Sequence, residues 1–190
     1  MMKILIILSL LLISNKTFAV TFVEPNIKQA YSASSIHFVP PATPTDMCIL
    51  NGSATFFNDT ATTEIYTNQT TTGTNQYFII KRSAADTGGT SNAMAAVALD
   101  SGYAAATATA VYYTANPTVG TAVGTLFVKR ALSPASTGLG IPYLELLAEQ
   151  VQHFAPVVLR GVAEGLAVSF NGQVLPSGLT IGCTFRWIED

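Results

Sequence analysis

Glu145, Glu149 and His153 stand four residues apart within Tyr143 to Phe154, and of all side chains in this sequence they come nearest to a reactive set. On a helix that spacing places the three on one face, where two carboxylates and an imidazole could hold a divalent ion or exchange a proton. The signal is weak. A metal site would need another histidine, cysteine or aspartate close by, and on a strand the same residues would also share one side, so the spacing does not select the chemistry. A solvated polar face is the simpler reading. Asp86-Thr87-Gly88-Gly89-Thr90 has the glycines of a phosphate-cradling loop but lacks the lysine and the following helix that make such a loop work. It reads as a surface hairpin. Serines are many, yet there is no Gly-x-Ser-x-Gly elbow, and only His37 and His153 could serve as bases. The residues therefore point to no catalytic set, no metal ligands and no cofactor.

Two further groups could bind or brace. Tyr31, Tyr66, Tyr112, Tyr113 and Trp187 could stack on sugar rings, with core packing as the alternative, favoured for Trp187 because it shares a strand face with Leu179 and Phe185. Cys48 and Cys183 could form a disulfide tying an early strand to the last one, which export would permit. They could equally be two small buried hydrophobes that never meet.

The elements that must position these residues are strands. Of 190 residues, 49% are hydrophobic and only 11% charged. Much of the apolar share is Ala and Val among Thr, Ser, Asn and Gly, which suits strands and turns rather than Glu- and Lys-bearing helices. The net charge is −2 with nine basic residues spread along the chain. No basic stripe exists to neutralise a run of phosphates, so nucleic acid is not an expected partner. Low charge density also weakens repulsion between copies, as suits a chain whose faces are covered in an assembly.

Met1-Met2-Lys3, the apolar run Ile4 to Ile13 and the small residue Ala19 have the form of a secretory signal cut after Ala19, with an uncleaved apolar tail as the alternative. The run is too short for a spanning helix, which takes about 20 residues, so no stable membrane span is expected once it is removed. Residues 20–45 read as an extended arm, a first strand in which Ile36 and Phe38 face together, and a linker with Pro40, Pro41 and Pro44. Residues 46–190 read as one β-sandwich body.

Within that body the clearest pattern runs from Pro156 to Ile188. Asn171-Gly172 is a pair suited to positive φ and so to a tight hairpin, and from Leu179 to Trp187 every second residue is apolar. Asn51-Gly52-Ser53 reads as another hairpin turn between Met47–Leu50 and Ala54–Phe57. Strands are also expected over Gln76–Arg82, Ala104–Tyr113 and Val123–Ala131, with local pairing within Ala93–Leu99. Tyr143–Phe154 is the one stretch with helical spacing. Roughly nine to ten strands would close two antiparallel sheets into a jelly-roll-like sandwich.

Several stretches together resemble a family of small β-rich structural proteins of tailed bacteriophages and prophages. They are Pro44-Thr45-Asp46-Met47 leading to Asn51-Gly52-Ser53-Ala54, Ile80-Lys81-Arg82 through Asp86-Thr87-Gly88-Gly89-Thr90-Ser91, Tyr113-Thr114-Ala115-Asn116-Pro117-Thr118, and Val158-Leu159-Arg160-Gly161 through Ala163-Glu164-Gly165-Leu166-Ala167 to Asn171-Gly172. The resemblance implies a shared fold and a non-enzymatic subunit at a virion surface, a capsid decoration or a head- or tail-associated component. Its partners would be other virion proteins and further copies of itself, a trimer being one form. The loops Asp86–Asn92, Asn116–Gly120 and Ser133–Gly140 would meet neighbours, with Asp86, Thr87, Gly88, Gly89, Asn116 and Pro117 as contact residues. A secreted or periplasmic adhesin or carbohydrate-binding module, with a glycan as partner, is the alternative.

Overall fold

A computed structural model describes residues 29–53, 58–68, 70–133, 143–147 and 157–189. Twelve strands are present among them: β1 (Gln29–Ser34), β2 (Asp46–Asn51), β3 (Asn58–Asn68), β4 (Gly73–Arg82), β5 (Thr90–Met94), β6 (Ala96–Ala98), β7 (Thr109–Ala115), β8 (Ala122–Ser133), β9 (Tyr143–Leu147), β10 (Val157–Leu159), β11 (Gly165–Ser169) and β12 (Thr180–Glu189). They form two antiparallel sheets. The first runs β10-β3-β12-β1-β6 with β9 also on β3, and the second runs β5-β7-β2-β11-β4-β8.

The alternation from Leu179 to Trp187 produces the burial it predicts. Leu179, Ile181, Cys183, Phe185 and Trp187 are all buried, because side chains two apart on a pleated strand share a face. β12 is paired on both edges, with β1 and with β3. Its buried face meets Cys48, Leu50, Tyr77, Ile79, Tyr112, Leu166 and Val168 of the second sheet in one core. Each fully buried large apolar side chain contributes about 1.5–3 kcal/mol, so this face outweighs any single polar contact. Trp187 stacks on Tyr31 with ring centroids 5.7 Å apart.

Among the described strands, no two that are consecutive in sequence are hydrogen-bonded to each other. This corrects the hairpins expected from turn residues. Asn171 and Gly172 do take positive φ, 52° and 75°, but the strand before them pairs with β2 and β4 while the strand after them lies in the other sheet. The turn therefore crosses from one sheet to the other. After Asn51-Gly52-Ser53 the chain crosses likewise, since β2 pairs with β7 and β11; Ala54–Phe57 lie outside the described residues. Ala93–Leu99 divides into β5, which pairs with β7, and β6, which pairs with β1. That division is one reason the strands outnumber the expectation.

Three further expectations change. Tyr143–Leu147 is a strand paired with β3, not the start of a helix. A five-residue Leu-rich run has no period long enough to select helix over strand, and the open edge of β3 takes it. The first strand ends at Ser34, and Ile36 and Phe38 do not act together: Phe38 is buried and bridges to Ile181, while Ile36 is exposed. β1 also lies inside the first sheet, between β12 and β6, so it belongs to the body. The signal-like residues 1–19, the rest of the arm to Lys28, the loop 134–140, Glu149 and His153 lie outside the described residues.

Cys48 on β2 and Cys183 on β12 are joined by a disulfide that links the two sheets across the core, with Cα atoms 6.5 Å apart. It closes a loop with a sequence separation of 135 residues, for which chain-entropy arguments give about 5 kcal/mol of stabilisation as an upper figure. Replacing both cysteines by alanine is expected to lower the unfolding free energy by about 3–5 kcal/mol. Urea denaturation of the double variant beside the oxidised parent checks this, and equal midpoints would refute it.

Candidate functional site

Among the described residues, buried carboxylates gather polar partners in two places, at Asp46 and at Glu189, and each lies beside a register shift between paired strands. At the start of β2 the register against β11 shifts between Val168 and Ser169. Asp46 is thereby released from the alternation that turns Cys48 and Leu50 into the core. Its carboxylate accepts two hydrogen bonds from Arg82 at the end of β4, from Nε and from Nη2, each 2.7 Å. The Arg82 and Asp46 side chains are 6% and 0% exposed. Arg82 Nη1 also donates to the Gly120 carbonyl at 2.8 Å. Burial works to lower the guanidinium pKa, but the Asp46 hydrogen bonds and negative charge outweigh it and hold Arg82 charged.

The loops over this pair are the ones marked from sequence as contact loops. Residues 83–89 leave β4, residues 116–121 leave β7, and the two are bridged at Thr87 and Thr118, each donating its N–H to the other's carbonyl at 2.9 and 2.7 Å. A small second core of Ile49, Tyr113 and Ala167 with Val111 is separate from the main one. Gly88 and Gly89 have φ of +65° and +69°; a Cβ on Gly89 would meet the Ala115 carbonyl at 2.8 Å, so the close approach of the loops requires glycine there.

Of the six expected contact residues, Thr87, Gly88, Gly89 and Asn116 are exposed. Asp86 and Pro117 are not available for docking, which corrects the expectation. The Asp86 side chain is 0% exposed and its Oδ1 accepts the Gly120 N–H at 2.8 Å, while Pro117 is buried. Asn116, though exposed, also ties the linker down: its Oδ1 accepts the Thr45 N–H and its Nδ2 donates to the Thr43 carbonyl, both at 3.0 Å. Burial, with the negative charge of Asp46 adding to it, raises the Asp86 pKa to about 6 although Gly120 and Arg82 pull the other way. Burial likewise pushes Tyr113 up to about 12, with Asp86 and Asp46 adding to it.

The second cluster sits at the end of β12. The Glu189 carboxylate accepts the N–H groups of Thr107 and Ala108, the Thr107 hydroxyl and the Trp187 indole N–H, at 2.8–3.1 Å. Burial works to raise its pKa, but the hydrogen bonds from Ala108, Trp187 and Thr107 outweigh that and hold it below the ordinary carboxylate value. The Tyr31 hydroxyl lies 2.6 Å from Gln29 Oε1 and 2.9 Å from the Ala104 carbonyl. Together these bonds fasten residues 104–108 to the sheet that carries β12. They are braces, since both carboxylate oxygens of Glu189 accept hydrogen bonds from the chain itself.

The other sequence candidates are scattered. Tyr31, Tyr112, Tyr113 and Trp187 are buried, so none of them offers a face to a sugar. Glu145 lies in β9, opposite Glu64 of β3. Among the described residues no group of three or more His, Cys, Asp and Glu side chains is placed to hold a metal. An apolar cleft of about 340 Å³ lies between Val39–Ala42 and Val174–Leu179, and its lining carries no ionisable side chain. No helix among the described residues is long and apolar enough to cross a membrane. Asp46, Arg82 and Glu189 were not among the site candidates drawn from the sequence. The signal for the first two was the rarity of charge: in a chain so poor in acids and bases, a carboxylate at the start of one strand and a guanidinium at the end of another are worth testing as partners, and the fold brings them together across the intervening β11.

Comparison of the chain with protein-family models, curated proteins and solved structures finds no match.

Replacing Glu189 by Gln removes a charged acceptor from several buried donors and is expected to cost about 2 kcal/mol of stability near neutral pH. Because the folded-state pKa lies below the ordinary value, this contribution is present above about pH 4.3 and is lost as the pH falls through the lowered folded value. Denaturation midpoints of parent and variant should therefore differ at pH 7 and converge in acid. A constant gap would show that the carboxylate charge is not responsible.

Proposed function

We propose that this chain is a non-enzymatic structural subunit of a tailed-phage virion, a capsid decoration or a head- or tail-associated surface component, that works by shape and repeated contact. The observation that carries the reading is the edge strand β8. Among the described residues it pairs with β4 alone, and it leaves Val123, Leu126, Phe127 and Val128 between 40% and 63% exposed. Monomeric sandwiches protect such an edge with charge, proline or a short strand. Here twelve residues run on with Lys129 and Arg130 as the charged ones, which suits a strand covered by another chain. The resemblance of the turn and strand sequences to phage structural proteins supports the same reading. Weak contacts are sufficient on a lattice, because repetition raises the effective concentration of each.

A specific observation favours a second reading, an exported bacterial sandwich serving as an adhesin. The Cys48–Cys183 bridge suits an oxidising compartment, as does the signal-like N-terminus. With four of the five candidate aromatics buried, sugar stacking is not the basis of this reading.

Phe127→Lys should leave the fold intact and shift the purified protein toward monomer in sedimentation velocity, whereas the parent forms larger species. A parent that stays monomeric at high concentration, and is missing from purified virions by mass spectrometry, would overturn the first reading. A mature mass beginning at Val20 and lacking two hydrogens would favour the second.

A further inference from the structure

The cluster of Asp46, Arg82 and Asp86 holds two carboxylates against one guanidinium. Both oxygens of Asp46 are taken by Arg82, and Arg82 Nε is 3.9 Å from Asp86 Oδ1, beyond a hydrogen bond. Asp86 Oδ1 accepts the Gly120 N–H. Its Oδ2 is buried and meets no donor. A buried carboxylate oxygen with no donor, beside a second carboxylate, is a costly arrangement unless a proton joins it.

We propose that Asp86 is a proton-operated latch: uptake of one proton by the Asp86–Asp46 carboxyl pair holds residues 83–90 against residues 116–121, and loss of that proton lets the two loops part. Protonation at Oδ2 turns the unpartnered acceptor into an O–H donor directed to Asp46, leaves Oδ1 free to accept from Gly120, and makes the cluster neutral. No bond other than O–H changes. The ionisable groups facing Asp86 are Asp46 from β2, Arg82 from β4 and Tyr113 from β7. Tyr113, pushed up to about 12, stays neutral throughout.

The direction follows from the Asp86 pKa of about 6 in the closed form, above the ordinary 3.8 that it regains when exposed. The closed form then binds more protons than the open one. Closure is favoured fully below about pH 4, and the advantage is lost as the pH rises through about 6. Between pH 5 and pH 7.5 the closed-to-open ratio should fall about ten-fold. The inference goes beyond the structural-subunit reading and does not depend on it.

Amide hydrogen exchange of the full chain, corrected for intrinsic rates, tests it at Thr87, Thr118 and Gly120. Protection at these amides should drop about ten-fold from pH 5 to pH 7.5 while Phe185 in β12 keeps its own. Asp86→Asn retains the acceptor and supplies a permanent donor, so its loop protection should be high and flat with pH. A flat profile in the parent, or the parent's slope reproduced in Asp86→Asn, overturns the latch. Should the variant fail to fold, the carbon-13 shift of the Asp86 carboxyl in the parent decides: a midpoint near 6 supports the latch and one near 4 refutes it.

Discussion

Burial of one face of β12 beneath the opposite sheet is the interaction on which most of this structure hangs. Ile181, Cys183, Phe185 and Trp187 fill the space between the sheets, and the same strand is hydrogen-bonded along both edges. Three other features are attached to it. The disulfide leaves from Cys183, the Glu189 brace closes one end, and the isolated bridge from Phe38 brings the proline-containing linker onto Ile181. Without β12 the described strands of the first sheet would fall into two unconnected parts, because among them β3 and β1 meet only through it.

With so few charges, the chain gives Asp46, Arg82 and one oxygen of Asp86 their partners by local irregularity. The register shift in β2 frees Asp46 from the core-facing alternation, and the loops beyond β4 and β7 supply backbone partners to Arg82 and Asp86. A second, smaller apolar cluster around Ile49, Tyr113 and Ala167 lies apart from the main core. β11 is buried along its whole length. Such double coverage explains why Gly165-Leu166-Ala167-Val168-Ser169 lacks the alternation seen in β12. A strand covered on both sides has no polar face to display.

What the sequence reveals depends on the range of the interaction. The faces of β12 and the positive φ of Asn171 and Gly172 are properties of adjacent residues and can be read directly. Strand partners are not: Asn171-Gly172 permits a hairpin, but whether the chain pairs or crosses depends on which faces remain open elsewhere. Tyr143–Leu147 is ambiguous for the same reason, its strand form being set by β3, whose paired residues lie 77 to 84 positions before it in sequence. Asp86 and Pro117 look like loop-tip residues because loops are usually solvated. Their inward placement comes from a loop-to-loop pairing that leaves no local trace. The fate of Cys48 and Cys183 could be posed from sequence but not decided, since connectivity is a property of the folded chain.

The placement of β12 has a bearing on how the protein is made. Its neighbours β1 and β3 are translated near the beginning of the described chain, whereas the strand that must slot between them is the last of the twelve. Throughout elongation on the ribosome the two early ribbons keep unfilled edges and a greasy flank with nothing to close on. Sheets assembled from such distant segments form slowly, and partly made chains of this kind are prone to stick to one another. A nascent polypeptide of this topology is therefore a natural client for holding chaperones until its final ribbon emerges.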